Sequence, residues 1–456
     1  MKRHRRHRTL RLGATVIAAV VAVGVTASGA AATQSVPPCP ASVVPSAPII
    51  PNAVGCWNAI AVQATRTAVP YQVQSFIYLG YVQAAVYDAV TKIDGRYVPY
   101  HEFAAPAGVH PATASPNAAA AAATYTMLTS PFLGFPSVAL AGLSTTYSDY
   151  ISGLGGGQDP SIAAGIKIGE AAANDVIALR TGDRDESITY TPPSNPPPPG
   201  VWTFPPPPSV QSAQTPWIAV MKPFMLQSPS QFRVQPPPAL SSRAWAKEFN
   251  EVKAYGSVNS TVRSPEQTAV ANFWNANALN QSNQAFQDVA ISHRMDLVEA
   301  ARLLAMGELV DSDAGIACWD SKYHYLFWRP IMAIRYADID GNRATTPDPN
   351  WTPLLVTPNH PEYPSAHTCV TGAESEMYAV ALGTRHIDVT IRGSADGTPN
   401  NWAATQTFRR VSDLQRQVAD ARVWGGLHYR GSVNAGLALA RRVARWTLRR
   451  YFLPIP

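Results

Sequence analysis

Apolar residues recur at helical spacing along most of this chain. Between Tyr78 and Thr91 the stripe is Val82, Ala85, Val86 and Ala89, and Asp94-Gly95 marks the turn that closes it. Further helices are predicted over Pro116 to Leu128 and over Ser161 to Arg180, the second stopping at Thr181-Gly182. Periodicity resumes at Ser242. Met295 to Val310 carries Leu297, Ala300, Ala301, Leu304 and Ala305 on one face, and Glu308 on the next turn predicts the end of that buried face. Val433, Leu437, Ala440, Ala444 and Leu448 stripe a last helix, expected to start near Ser432 as its N-cap. Alternating runs with strand character are few and short, and no repeat of fixed period is visible.

Residues 191–238 break the pattern. Proline runs at 196–199, 205–208 and 236–238 exclude continuous helix. The same stretch holds Trp202, Phe204, Trp217 and Phe224, side chains that favour burial, so it reads as an ordered segment crossing the surface near a site mouth. The expected fold is all-α: helical bundles in two packed, four-helix-bundle-like halves with long Pro-rich crossovers. The expected divisions are a leader at 1–32, an extended lead-in at 33–56, an N-terminal half at 57–240 and a C-terminal half at 241–456.

Charge changes this picture at one end only. Met1 to Arg11 is basic, Leu12 to Val25 is small and apolar, and Ala30-Ala31-Ala32 offers a cleavage site, the three parts of a secretory signal. A secreted protein cut near Ala32 is therefore expected. The chain has 36 basic and 30 acidic residues. Lys2, Arg3, Arg5, Arg6, Arg8 and Arg11 supply the whole excess, so the mature chain is formally neutral and gives no reason to expect nucleic acid or membrane as a partner. None of the four cysteines has metal-ligand spacing. Cys39 and Cys56 would close a short loop, whereas Cys318 and Cys369 read as buried thiols, with a bridge between them left open.

Three separated segments carry convergent chemistry. In Lys322-Tyr-His-Tyr-Leu-Phe-Trp-Arg329-Pro330 the two cations stand seven apart, two turns of a helix, and are expected on one face with Leu326 between them. Cations among aromatics suit an anion held out of water. In Tyr363-Pro364-Ser365-Ala366-His367 a helix opens on small residues, leaving backbone N–H groups for an anion, and His367 in the first turn can act as acid or base. In Arg422-Val-Trp-Gly-Gly-Leu-His428 the glycines interrupt a helix so that Arg422 and His428 can converge. Each segment alone reads equally as helix surface, helix cap or helix connection.

Together, Lys-x6-Arg-Pro, Pro-Ser-x-His and Arg-x5-His resemble the signature of the type 2 phosphatidic acid phosphatase superfamily. Phe327-Trp328-Arg329-Pro330, Tyr87-Asp88-Ala89 and Ile93-Asp94-Gly95-Arg96-Tyr97 resemble its vanadium-dependent haloperoxidase branch. The resemblance implies vanadate as cofactor, with phosphate as competitor. It implies that His428 binds the metal axially, and that Lys322, Arg329 and Arg422 balance the oxygens. Ser365 and the Ala366 amide would donate hydrogen bonds, while His367 would serve as acid–base catalyst and Lys322 would polarise bound peroxide.

Hydrogen peroxide, halide and small organic acceptors would be the reactants. The oligomeric state stays open. His360, seven residues before His367, matches the position that the resemblance links to bromide over chloride, although it reads equally as loop chemistry. Two departures stand out. Ala366 replaces the usual glycine and adds a methyl group beside the oxyanion. Ser432 replaces the usual aspartate, so a carboxylate orienting the site is lost or supplied elsewhere. The alternatives are a secreted acid phosphatase working through a phosphohistidine on the same site, and a non-catalytic anion- or partner-binding relative.

Overall fold

The computed structural model describes residues 36–40, 48–193, 196–206, 212–393 and 405–456. These carry α1 (Ala53–Ala68), α2 (Gln72–Asp94), α3 (Pro116–Thr129), α4 (Leu143–Leu154), α5 (Pro160–Arg180), α6 (Arg243–Tyr255) and α7 (Pro265–Phe273). There follow α8 (Ala278–Ser292), α9 (Leu297–Tyr325), α10 (Pro330–Arg335), α11 (Ala366–Ala381), α12 (Val411–Trp424) and α13 (Arg430–Thr447). Between α11 and α12, β1 (His386–Arg392) and β2 (Thr405–Arg410) form an antiparallel pair, the one sheet among the described residues. The fold is all-α. The leader at 1–32 lies outside the described residues, as do 33–35 and 41–47 of the lead-in and part of the Pro-rich stretch.

Helix boundaries follow local chemistry. Ser115, Asp159 and Ser242 cap α3, α5 and α6 with their side chains, each ahead of a first-turn amide. Asp296 and Glu299 form a reciprocal capping box at the start of α9. Gly95, at φ 77°, ends α2 in the left-handed conformation that the Asp-Gly pair predicts. In the N-terminal half, α3 packs on α2 and α5. Its run Ala118–Ala123 is wholly buried, and methyl-sized side chains let these helices approach closely. In the C-terminal half, α11 packs on α9, α12 and α13. The long α9 also lies along α2. A disulfide joins Cys39 to Cys56 in α1, and Cys318 and Cys369 are buried free thiols.

The described part of the Pro-rich segment is tied down. Trp202, Trp217 and Phe224 are buried, and Phe204 is half-buried. Asp313 of α9 accepts the backbone N–H groups of Phe224, Met225 and Leu226 at 2.7, 2.8 and 2.9 Å. Arg180 donates to the carbonyls of Pro223 and Lys222 at 2.8 and 2.6 Å and lies over the Phe224 ring. A buried carboxylate and a buried guanidinium thus satisfy backbone that proline keeps out of helices.

Three expectations from the sequence are corrected here. The buried face of α9 does not end at Glu308, which is itself fully buried. The helix is enclosed as far as Lys322 because α2, α8, α11 and α13 pack on it. Lys322 and Arg329 do not share a helix face. The chain leaves α9 at Leu326, in the left-handed region at φ 50°, and Arg329 is the residue before α10. Ser432 is not an N-cap: α13 begins at Arg430, and Ser432 is buried within its first turn.

Candidate functional site

Lys322 reaches its position from the last turns of α9. Its Nζ donates to the carbonyls of Pro361, Glu362 and Pro364 at 2.9, 2.9 and 2.5 Å. All three ammonium hydrogens are engaged, so Lys322 reaches a bound oxygen only by exchanging one carbonyl. Meanwhile it fixes the 361–364 segment that leads into α11. Arg329 sits beneath the same segment. Its Nε donates to the His360 carbonyl at 3.0 Å and its Nη1 to the Leu427 carbonyl at 3.0 Å. Nη1 also lies 3.2 Å from His428 Nε2, and Nη2 lies 3.0 Å from His360 Nδ1.

Ser365 stands at the N-cap of α11, yet its hydroxyl does not cap the helix and has no protein partner although it is fully buried. The first-turn amides of α11 therefore keep the open N-terminus that favours an anion. Arg422, in the last turn of α12, donates from Nη1 to the Trp274 carbonyl at 2.8 Å, while its buried Nε is unpartnered. The turn from Arg422 to His428 depends on Gly426, at φ 76°. A side chain there would lie 2.5 Å from the Gly256 carbonyl. Gly436 lets α13 pass against the start of α11: a Cβ would stand 2.1 Å from Thr368 Oγ1 and 2.8 Å from the Ser365 carbonyl.

The missing carboxylate is found at Glu362. Its Oε1 lies 2.8 Å from His428 Nδ1 and accepts the Tyr429 N–H at 3.2 Å. A carboxylate on Nδ1 fixes the proton there and leaves the Nε2 lone pair facing Arg329 and the cavity. Ser432 stands where the resemblance leads one to expect aspartate, and Glu362, in the segment before α11, is the acid on His428. The sequence reading missed Glu362. The available signal was the lost acid at 432, combined with an acid inside His360-Pro-Glu-Tyr-Pro-Ser. It also missed Trp319, one turn before Lys322, whose ring centroid lies 4.9 Å from that of His360.

These residues surround a cavity of about 220 Å³. His360, Ala366, His367, Arg422 and His428 line it, together with the apolar Val73, Phe76, Val356 and Val370 and with Gln214 from the Pro-rich crossover. Lys322, Arg329 and Ser365 are fully buried and do not line it. Every residue singled out from the three segments is brought together, His360 included. Ala366, next to Ser365 in the chain, is among the residues that line the cavity.

Burial dominates the electrostatics. It pulls the Lys322 ammonium down to about 8 and pushes the Glu362 carboxyl up to about 7 against the pull of Lys322 and Arg329. His360, His367 and His428 are held well below the usual histidine range, first by desolvation and then by the neighbouring cations. The histidines are therefore neutral at pH 7, and among the described residues Lys322, Arg329 and Arg422 face Glu362 as the one carboxylate within the site. Buried positive charge in excess is costly unless an anion joins it. The free Ser365 hydroxyl, Arg422 Nε and first-turn amides are placed to bind that anion's oxygens. Among the described residues no cluster of three or more His, Cys, Asp or Glu is arranged to hold a metal ion. The donor set instead suits a metal oxyanion, hydrogen-bonded through its oxygens and held by His428 Nε2 alone.

Residues 302–453 match the family described as the VCPO second helical-bundle domain. A vanadium chloroperoxidase from Curvularia inaequalis is 32% identical over 146 residues, covering 26% of this chain and 23% of that one. The match therefore spans under a quarter of the curated relative's length. The structure of a bacterial vanadium-dependent iodoperoxidase superposes with a TM-score of 0.68 at 20% identity, over 88% of this chain and 96% of that one. The holo form of a bacterial vanadium-dependent chloroperoxidase does so with 0.65 at 20% identity, over 86% and 96%. Residues 302–453 thus carry the second helical-bundle domain of that family, and most of the chain shares its fold with the two bacterial structures.

Proposed function

We propose that the protein is an exported vanadium-dependent haloperoxidase that oxidises halide, bromide in preference to chloride, with hydrogen peroxide. The observation that carries this reading is the surplus of buried cations around donors that lack protein partners, with one oriented histidine nitrogen beside them. Lys322, Arg329 and Arg422 would balance the oxyanion's charge, Ser365 Oγ and the Ala366 N–H would donate to its oxygens, and His428 Nε2 would bind the metal. Vanadate held there supplies the Lewis acidity that turns peroxide into an electrophile for halide.

The chain's own groups do the rest. Glu362 keeps His428 in the tautomer that presents Nε2. Each hypohalous acid formed from halide and peroxide consumes one proton. His367, held on one side by the Trp274 carbonyl, can pass that proton from its other ring nitrogen to the cavity. The apolar lining residues limit water around the reacting oxygen. His360, against Trp319 and Arg329, supports the bromide reading because a polarisable ring face and a guanidinium suit a large, soft halide.

A second reading, a secreted acid phosphatase with His428 as nucleophile, draws on the Glu362–His428 pair, which also suits a histidine that becomes phosphorylated. A paired assay on purified protein separates the two. Bromination of a phenolic dye that requires orthovanadate and is suppressed by phosphate is the expected outcome. Hydrolysis of an aryl phosphate that vanadate inhibits, without bromination, would establish the phosphatase instead.

A further inference from the structure

α9 and α11 meet at two thiols. Cys369 Sγ lies 2.8 Å from Cys318 Sγ, and neither residue has exposed surface. Unbonded carbon atoms pack at about 3.5–4.0 Å, and sulfur is the larger atom, so the two sulfurs stand inside ordinary contact. The pair is also close to the site. Cys318 is one helical turn before Lys322, and Cys369 is two residues after His367. Cys318 Sγ lies 3.8 Å from the Pro364 carbonyl, the same oxygen that accepts Lys322 Nζ at 2.5 Å. The chain already holds one disulfide, Cys39–Cys56, as a protein kept in oxidising surroundings does.

We propose that Cys318 and Cys369 are a second disulfide site, closed by peroxide, that staples the lysine-bearing helix to the helix opening at Ser365. The step balances. One thiolate attacks a peroxide oxygen, giving a sulfenic acid and, with one proton, water. The other thiol then attacks that sulfur and expels a second water, so two thiols lose two electrons and two protons while one peroxide is reduced to two waters. The staple rests on the haloperoxidase reading only for its native source of peroxide.

The test uses the full chain, purified without reductant and exposed to excess hydrogen peroxide in the absence of vanadate and halide. The chain is then unfolded in the presence of a maleimide, digested and mapped by mass. The expected result is a cross-linked pair of peptides carrying Cys318 and Cys369, two hydrogens lighter than their sum. Maleimide on both cysteines, or separate sulfinic acids on them, would overturn the proposal. A second measurement reads the staple's effect. A phosphine reductant should lower the thermal midpoint of the oxidised parent further than that of the C318A/C369A double variant, in which only Cys39–Cys56 remains to be reduced. Equal shifts in the two proteins would show that no staple joins α9 to α11. Halogenation plays no part in either readout, so failure of the staple and failure of the haloperoxidase reading are told apart.

Discussion

Two buried polar clusters share the α9–α11 contact and respond to burial in opposite ways. Near the C-terminal end of α9, Lys322, Arg329 and Arg422 gather around a cavity with Glu362 as their one carboxylate among the described residues. Deeper along the same helices, Glu308, Asp311 and Glu374 gather with no cation among the groups that shift them. Glu374 is held by Ser282 and Tyr378 and Glu308 by Asn283, each contact at 2.8 Å, while both oxygens of Asp311 lack partners. Desolvation raises all three carboxyls, Glu374 to about 7 and the other two well above their usual range. Carboxyls can take up protons and become neutral. Guanidinium groups cannot discharge in this way, so the cationic cluster is relieved only by an anion. The same burial thus leaves one region able to fall silent within the core and the other in need of an anion.

The comparison can be broken at its functional end first. His428→Ala should abolish both vanadate-dependent bromination and aryl phosphate hydrolysis while the thermal midpoint stays close to the parent's. Substantial residual turnover would remove His428 from its assigned role. Next, Glu362→Gln should lower activity by roughly 10–100-fold, the usual cost of losing a group that orients a metal-binding histidine. Adding Ser432→Asp to Glu362→Ala should recover part of that loss, because an acid then stands where the resemblance leads one to expect it. A double variant no better than Glu362→Ala would mean that the two positions are not interchangeable.

Smaller effects sharpen the electrostatic contrast. Lys322 has its folded pKa lowered to about 8, so its charge disappears as pH rises through that value. Phosphate affinity, measured by calorimetry, should fall above pH 8 more steeply in the parent than in Lys322→Met, and parallel profiles would exclude Lys322 as the titrating cation. At the acidic cluster the sign reverses. Asp311 has a folded pKa raised above its unfolded one, so its contribution to stability is present at low pH and is lost as pH rises. Asp311→Asn does not titrate. Its thermal midpoint should therefore match the parent's near pH 4 and exceed it increasingly towards pH 8. A constant difference across that range would mean that Asp311 is not held protonated.

The amino-acid pattern alone determined the all-helical architecture and the three segments that meet at the site. Helical spacing, proline runs and capping residues act over a few neighbours, and those neighbours are adjacent in the chain. The burial of Trp202 and Trp217 followed in the same way, since aromatics in a Pro-rich stretch favour enclosure wherever it lies. Tertiary structure decided what depends on residues far apart. Glu308 looked like the edge of a buried face until α9 was seen enclosed by α2, α8, α11 and α13. Lys322 and Arg329 looked like helix neighbours until Leu326 turned the chain out of the helix. The carboxylate missing at Ser432 was present at Glu362, 70 positions earlier by number. A hydrogen bond specifies a distance and a direction between two atoms rather than a spacing in the chain, so only the folded backbone could show which acid makes it.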